Sequence, residues 1–294
     1  MDINFELYKV FYYVAKELNF SAASAKLFIS QSAVSQSVKT LEKKMQCRLF
    51  VRNTKQVKLS PEGEILYQHI EQAFNFIKAG ERGINEIQTL HTGEVRIGAS
   101  DTICKYYLLP YFEKFHKAFP QVKIHVTNRT SPKCLELLKI GSVDAIVVNM
   151  PTSGSSKNLA VKKIKTVRDV FIAGRNFIHL QGQVISIKDL QNFPLLMLEK
   201  STATRAFIDN FLAGMGIRIT PEIELESVDL LIEMAKIGLG ISFVGEDFVQ
   251  DELVRNEIFI LQTKEKIPPR GLGVITNNNV PLPAAAQKFI ELLG

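Results

Sequence analysis

Residues 20–39 read FSAASAKLFISQSAVSQSVK, and this stretch decides what the head of the chain is. It breaks into two short amphipathic segments around Phe28-Ile29-Ser30. Ser21 is the expected N-cap of the first, which packs through the small residues Ala22 and Ala23 and through Leu27. Ser30 caps the second, whose apolar residues Val34, Val38, Leu41 and Met45 recur at helical spacing. The opposite face carries Gln31, Ser32, Ser35, Gln36 and Lys39. Short hydrogen-bonding groups and one cation on an exposed helix face can enter a major groove and touch base edges. Any two amphipathic helices can share this pattern, so the flanks must decide its meaning.

Working outward, Leu7, Phe11, Val14 and Leu18 mark one face of a helix over about 5–18, a platform for the pair. On the other side, Cys47 to Arg52 and Val57 to Ser60 form two short strands around Asn53-Thr54, a hairpin with Arg48, Arg52, Lys55 and Lys58 suited to phosphate or minor-groove contact. The charge agrees. Residues 1–60 hold ten Lys/Arg and four acids, while the rest of the 294 residues hold 26 of each. The whole excess of +6 therefore sits on one fifth of the chain, the footprint of a nucleic-acid-binding module on a neutral body.

At this point a resemblance is carried by named residues. Ala22-Ala23, Leu27, Ile29 to Ser35, Val38-Lys39, Leu41-Glu42, Leu49-Phe50, Arg52 and Leu59 to Gly63 follow the run A-A-x-x-L-x-I-S-Q-S-A-V-S-x-x-V-K-x-L-E, L-F-x-R, L-S-P-E-G. This resembles the head of the LysR-type transcriptional regulators. Ser32 stands where that family often has proline, and Met45-Gln46-Cys47 where it often has Leu-Gly. The resemblance implies a winged helix-turn-helix (1–60), a linker and dimerisation helix (61–90) and a two-lobed effector domain (91–294). In that family this domain has a type-2 periplasmic-binding-protein-like α/β fold, which the resemblance implies here. The implied partners are double-stranded DNA at pseudo-palindromic sites, a small effector, a second copy in a homodimer or homotetramer, and RNA polymerase as a further candidate. Gln31, Ser32, Ser35 and Gln36 would read bases; Lys39, Arg48, Arg52 and Lys55 would hold phosphates.

The residues behind the head fit this plan. Ser60-Pro61 with Glu62 and Glu64 is a helix start. Positions 66, 70, 73, 77, 80, 84 and 87 repeat at 4-3 spacing to about Leu90, a coiled-coil seam weakened by Gly80 and Gly83. From Gly93 strands and helices alternate, as in a parallel sheet covered by helices. Strands are expected at Glu94–Ala99, Val122–Asn128, Asp144–Asn149, Val170–Gly174, Leu195–Leu198, Pro221–Leu225, Ile241–Val244 and Gly271–Thr276. Helices are expected near Lys105–Phe119, Ser131–Ile140, Ser186–Leu190, Thr202–Met215, Val228–Ile237 and Pro283–Leu293, with a soft stretch over Met150–Asn158. The lobe crossings are expected near Lys163–Val167 and Lys264–Pro269, which gives lobe 1 as 91–164 and 268–294 and lobe 2 as 165–267.

Ligands in such folds bind beyond the carboxyl ends of strands, where helix N-termini offer free N–H groups. Ser100 and Thr102, Thr130 and Ser131, and Ser201 and Thr202 follow strands and open helices. Arg205 lies one turn into the last of these, and Asn149 ends its strand. Together they suit a small anion or carboxylate, with Asp101 an opposing charge. A solute-binding protein and an enzyme on the same cleft are the rival readings. No secretory leader is evident and the charge is partitioned, which opposes the first. The second lacks a nucleophile elbow, and the five histidines have no metal-ligand spacing. No cofactor or catalytic residue is expected. Gly238-Leu239-Gly240 joins a helix to a strand, the wrong order for a nucleotide loop. Cys47, Cys104 and Cys134 are odd in number and scattered, as in a reducing cytoplasm. Cys104 stands near a helix start at the cleft mouth, where a thiol pKa can fall. No apolar run is long enough to cross a bilayer.

Overall fold

A computed structural model describes residues 3–53, 56–88, 93–150 and 158–294, with the backbone alone at 52–53 and 85–88. The expectations for Lys55, for the side chains of Arg52 and Ile87, for the helix end at Leu90 and for most of the soft stretch lie outside what it describes. The chain divides into two compact units, Met1–Glu81 and Arg82–Gly294.

The first unit holds three helices, Phe5–Glu17, Phe20–Leu27 and Gln31–Met45, then a two-stranded hairpin and the start of a long helix, Pro61–Gln88. The hairpin pairs Phe50–Asn53 with Gln56–Leu59 antiparallel, Phe50 opposite Leu59. Phe11, Val14, Ala23, Val34, Val38, Leu41 and Leu49 are fully buried and form one core, each large side chain contributing on the order of 1.5–3 kcal/mol. The second helix begins at Phe20, two residues earlier than a cap at Ser21 would place it. Asn19 is its cap, accepting from the Ser21 and Ala22 amides at 2.9 and 3.1 Å. Ser30 caps the third helix as expected, accepting from Ala33 N at 3.2 Å. Phe28 turns the chain between them in the left-handed region, φ 54°.

Tyr12 stacks on Phe74 at 4.7 Å and on Tyr67 at 6.0 Å, so the long helix is pinned to the first one by aromatic faces. Its register explains the 4-3 repeat in part: Leu66 and Ile70 pack into the head's own core, while Ile77 and Ile84 remain exposed. The glycine of L-S-P-E-G also has a reason. A Cβ on Gly63 would lie 2.0 Å from the Leu49 carbonyl oxygen, so only glycine lets this helix meet the root of the hairpin.

The second unit contains two five-stranded sheets. In lobe 1 the order is Lys123–Asn128, Glu94–Ala99, Ala145–Met150, Arg270–Asn277, Leu159–Val167; the first three run parallel and the last two join antiparallel. In lobe 2 it is Ile223–Leu225, Leu195–Leu198, Ile241–Gly245, Asp169–Gly174, Ile258–Ile260, again with two parallel and two antiparallel pairings. Leu159–Val167 is a strand of lobe 1 throughout, paired to Arg270–Asn277. The first crossing is therefore at Arg168, a few residues later than the expected boundary at 164/165. The second lies between Thr263 and Arg270.

The segment expected as one helix over Lys105–Phe119 has three parts: a turn Asp101–Ile103, a π-helical stretch Cys104–Leu108 and an α-helix Leu109–Ala118. The segment at Ser186–Leu190 is the 3-10 helix Ile187–Asn192. Helix Val228–Lys236 ends at Gly238, whose φ of 80° makes the turn back to the sheet.

Candidate functional site

The head presents one polar helix face. Along Gln31–Met45, Val34, Val38 and Leu41 are fully buried, so the positions between them must face outward. Gln31, Ser32, Gln36 and Lys39 are exposed and Ser35 is half-buried. Ser21 Oγ donates to Gln31 Oε1 at 3.1 Å, and the Ser30 and Ser32 hydroxyls lie 2.9 Å apart, which orients the first turn of the face. Glu42, from the buried side of the same helix, accepts from the Leu49 and Phe50 amides at 2.8 and 3.3 Å. Ser60 Oγ donates to the Arg48 carbonyl at 2.6 Å. These bonds fix the hairpin root against the helix and leave Arg48 and Lys58 exposed. Cations on a rigid wing beside a polar helix face can meet phosphates while the helix meets bases.

The second unit holds a cavity of about 430 Å³ between its lobes. Ser100, Thr102, Thr130, Ser131, Asn149 and Thr202 all line it. They come from separate segments: Ser100 and Thr102, Thr130 and Ser131, and Thr202 follow parallel strands at helix starts, and Asn149 lies near the end of the strand Ala145–Met150. Ser227, capping Val228–Lys236 through the Leu230 amide at 3.3 Å, adds a helix N-terminus that the sequence reading did not name. Helices Ser131–Lys139, Ala203–Gly214 and Val228–Lys236 thus all start at the cavity wall, and their free amides favour negative charge there.

The hydroxyls differ in what they have left to offer. Thr202 donates to the Glu199 carbonyl at 2.8 Å and accepts from the Arg205 amide at 3.3 Å, so both its roles are filled within the protein. Ser100 accepts from the Ile103 amide at 3.4 Å. Ser131 is buried and accepts from the Asn149 amide at 3.3 Å. Thr130 makes no side-chain capping bond.

Two expected residues stand elsewhere. Ser201 is exposed and is not part of the wall. Arg205 is buried and turned away: its Nε lies 2.8 Å from Asp209 Oδ1, and its Nη1 lies 2.7 Å from Glu224 and 2.9 Å from the Leu198 carbonyl. Two carboxylates claim this guanidinium, so it is a brace of lobe 2 and not a cleft residue. The arginine on the wall is Arg270. It is buried, makes a bidentate pair with Asp169 and donates Nη1–H to Asn149 Oδ1. Arg129 and Lys133 supply further positive charge to the lining, and Asp101 and Glu226 negative charge.

A clasp ties the two lobes next to the cavity, and its Phe248 is part of the lining. Tyr106 Oη donates to Asp229 Oδ1 at 2.6 Å, Lys105 Nζ lies 2.9 Å from Asp229 Oδ2, and the Tyr106 ring stacks on Phe248 at 4.6 Å. Both Lys105 and Tyr106 belong to the π-helical stretch, whose wider turn sets two successive side chains against the other lobe. Partial burial opposes the charge on Asp229, yet the hydrogen bonds from Tyr106 and Lys105 hold its carboxyl below the usual range. Burial, then the bond to Asp229, pushes the Tyr106 phenol up to about 12.

Burial likewise pushes the Cys104 and Cys134 thiols up to about 11. Both are thiols at neutral pH, which opposes the expectation of a lowered pKa at Cys104. Among the described residues no group of His, Cys, Asp and Glu could hold a metal ion, and no helix is long and apolar enough to cross a membrane.

With this geometry in view, the chain matches two family models. Residues 5–64 match the bacterial regulatory helix-turn-helix protein, lysR family, and residues 88–294 match the LysR substrate binding domain. It is 30% identical over 290 residues to the HTH-type transcriptional regulator CysL of Bacillus subtilis, covering 98% of this chain and 96% of that one. A full-length OxyR variant from Pseudomonas aeruginosa superposes with a TM-score of 0.73 at 19% identity, over 100% of this chain and 95% of the other. The regulatory domain of Synechocystis CcmR, solved in complex with 2-PG, gives 0.62 at 22% identity, over 69% and 96%. The chain therefore belongs to the LysR family of DNA-binding transcriptional regulators, with a helix-turn-helix head and a two-lobed effector-binding domain, and is not an enzyme.

Proposed function

We propose that the regulator acts in the cytoplasm as a homodimer or homotetramer, reading a pseudo-palindromic DNA site under the control of a small anionic effector in the interlobe cavity. The observation that carries the effector class is the convergence of three helix N-termini with Arg129, Lys133 and Arg270 around one cavity; the 2-PG held by the similar CcmR domain supports an anion. Ser100, Thr102, Thr130, Ser131 and Asn149 would contact it, with Thr202 reduced to shaping the wall. Effector binding shifts the regulator only to the extent that it prefers one lobe arrangement. RNA polymerase is the expected further partner on the promoter.

Gln31, Ser32, Ser35 and Gln36 would read bases, with Lys39, Arg48, Arg52 and Lys55 on phosphates. Half-sites would then be spaced by about 34 Å or a multiple of it. In gel-shift titrations over a range of salt, Gln36→Ala should relax sequence preference by roughly 1–3 kcal/mol at one position. Arg48→Ala should weaken all sequences alike and lower the salt slope by about one. Equal losses on specific and random DNA for both variants would overturn the division of roles. The effector class is tested on the full chain by melting temperature against small anions; if none raises it, the anion reading fails.

A further inference from the structure

The cavity wall contains a buried ion pair placed where the chain passes between lobes. Asp169 opens the first strand of lobe 2, one residue after the first crossing, and Arg270 opens the last strand of lobe 1 after the second. Their side chains are 0% and 2% exposed. A guanidinium has five N–H donors. Nε and Nη2 serve Asp169, and Nη1 serves the amide oxygen of Asn149. Two N–H groups, one on each terminal nitrogen, have no acceptor among the described residues. Arg270 and Asn149 both border the cavity, as do the hydroxyls of Thr130 and Ser131 at the start of the neighbouring helix.

We infer that Arg270 is the anchor for the effector's anionic group. This rests on the anion reading of the cavity and adds the residue that enforces it. Asp169 holds the guanidinium plane and keeps the empty cavity close to neutral. A carboxylate or phosphoryl oxygen takes the remaining N–H donors, or replaces Asn149 on Nη1, and the amides of the helix beginning at Ser131 face its other oxygens. A planar fork held on one edge by a buried carboxylate is preorganised to bind an oxyanion with the other. Its position adds a second role. The two strands joined by the pair are the ones that emerge from the two crossings, so an anion on Arg270 acts on both lobe connections together.

The test uses the full chain at constant ionic strength, with sulfate, inorganic phosphate, acetate and oxalate as probes, read by melting temperature and titration calorimetry. Arg270→Lys keeps the charge and removes the fork. Asn149→Asp places a carboxylate on the same nitrogen and in the cavity, with the Asp169 pair intact. Arg205→Lys alters a buried arginine away from the cavity. At least one probe is expected to stabilise the wild type. Its affinity should fall roughly tenfold or more in Arg270→Lys, vanish in Asn149→Asp while that variant keeps its ligand-free melting point, and persist in Arg205→Lys. Retention within twofold by folded Arg270→Lys or Asn149→Asp overturns the anchor and leaves the anion reading standing. If Arg270→Lys does not fold, Asn149→Asp decides. A wild type that no probe stabilises defeats both.

Discussion

Each lobe of the second unit buries one arginine, and the two are used in opposite ways. Arg205 in lobe 2 is paired with Asp209 and Glu224, whose side chains are 39% and 38% exposed. Arg270 in lobe 1 is paired with Asp169, which is fully buried, and with a neutral amide. The first arrangement surrounds the cation with more negative charge than it carries, and water still reaches the carboxylates. The second balances one charge with one charge inside the protein and borders a cavity. The same side chain is thus a brace in one setting and a receptor in the other, and the difference lies in the partners.

The contrast can be broken at its strongest point. Asp169→Ala leaves a buried guanidinium without its counter-ion and is expected to cost about 3–5 kcal/mol in urea unfolding followed by circular dichroism. Arg205→Met keeps an apolar stem and leaves two carboxylates that water already solvates, so its cost should be about 1–2 kcal/mol, mainly the lost bond to the Leu198 carbonyl. Similar losses at the two sites would erase the distinction. The smallest effect belongs to the clasp that ties the lobes. Asp229 has a lowered folded pKa, so its contribution is present above the ordinary carboxylate range and is lost as pH falls through the folded value. Melting temperatures of Asp229→Asn should fall less steeply than those of the wild type below about pH 4. Parallel acid limbs would show that the carboxylate adds nothing to lobe closure.

How much of this was legible depended on the range of the interactions. The head is local: Ser30 caps the helix that begins at the next residue, Glu42 reaches the hairpin root seven residues on, and the glycine after Ser60-Pro61-Glu62 sits where a helix must touch a carbonyl. Cavity residues that follow a strand and open a helix were also readable, because topology alone brings them to one edge. Arg270 was not, since Asp169 is 101 residues away and Asn149 is 121. Arg205 is hard to place from sequence because a first-turn position says nothing of which way the side chain points, although Asp209 one turn later is a visible competitor. The strand Leu159–Val167 escaped because Lys162, Lys163 and Lys165 obscure its alternation; charge on an outermost strand is a common guard against unwanted pairing. The π-helical turn has no sequence signature.

The last strand of lobe 1 has a consequence for how the protein is made. Arg270–Asn277 lies between Ala145–Met150 and Leu159–Val167, and the helix Ala284–Leu292 closes the core with Phe289 against Phe112 and Phe115. During synthesis the head is complete after about eighty residues and can fold while the rest is still being translated. Lobe 1 has to wait, with the place of this inner strand open until residue 277 has emerged. A ribosome that stalls late would release a molecule able to grip a promoter but without the sheet that completes its sensor. The control over transcription, unlike the grip, is acquired only once the strand Arg270–Asn277 has been added.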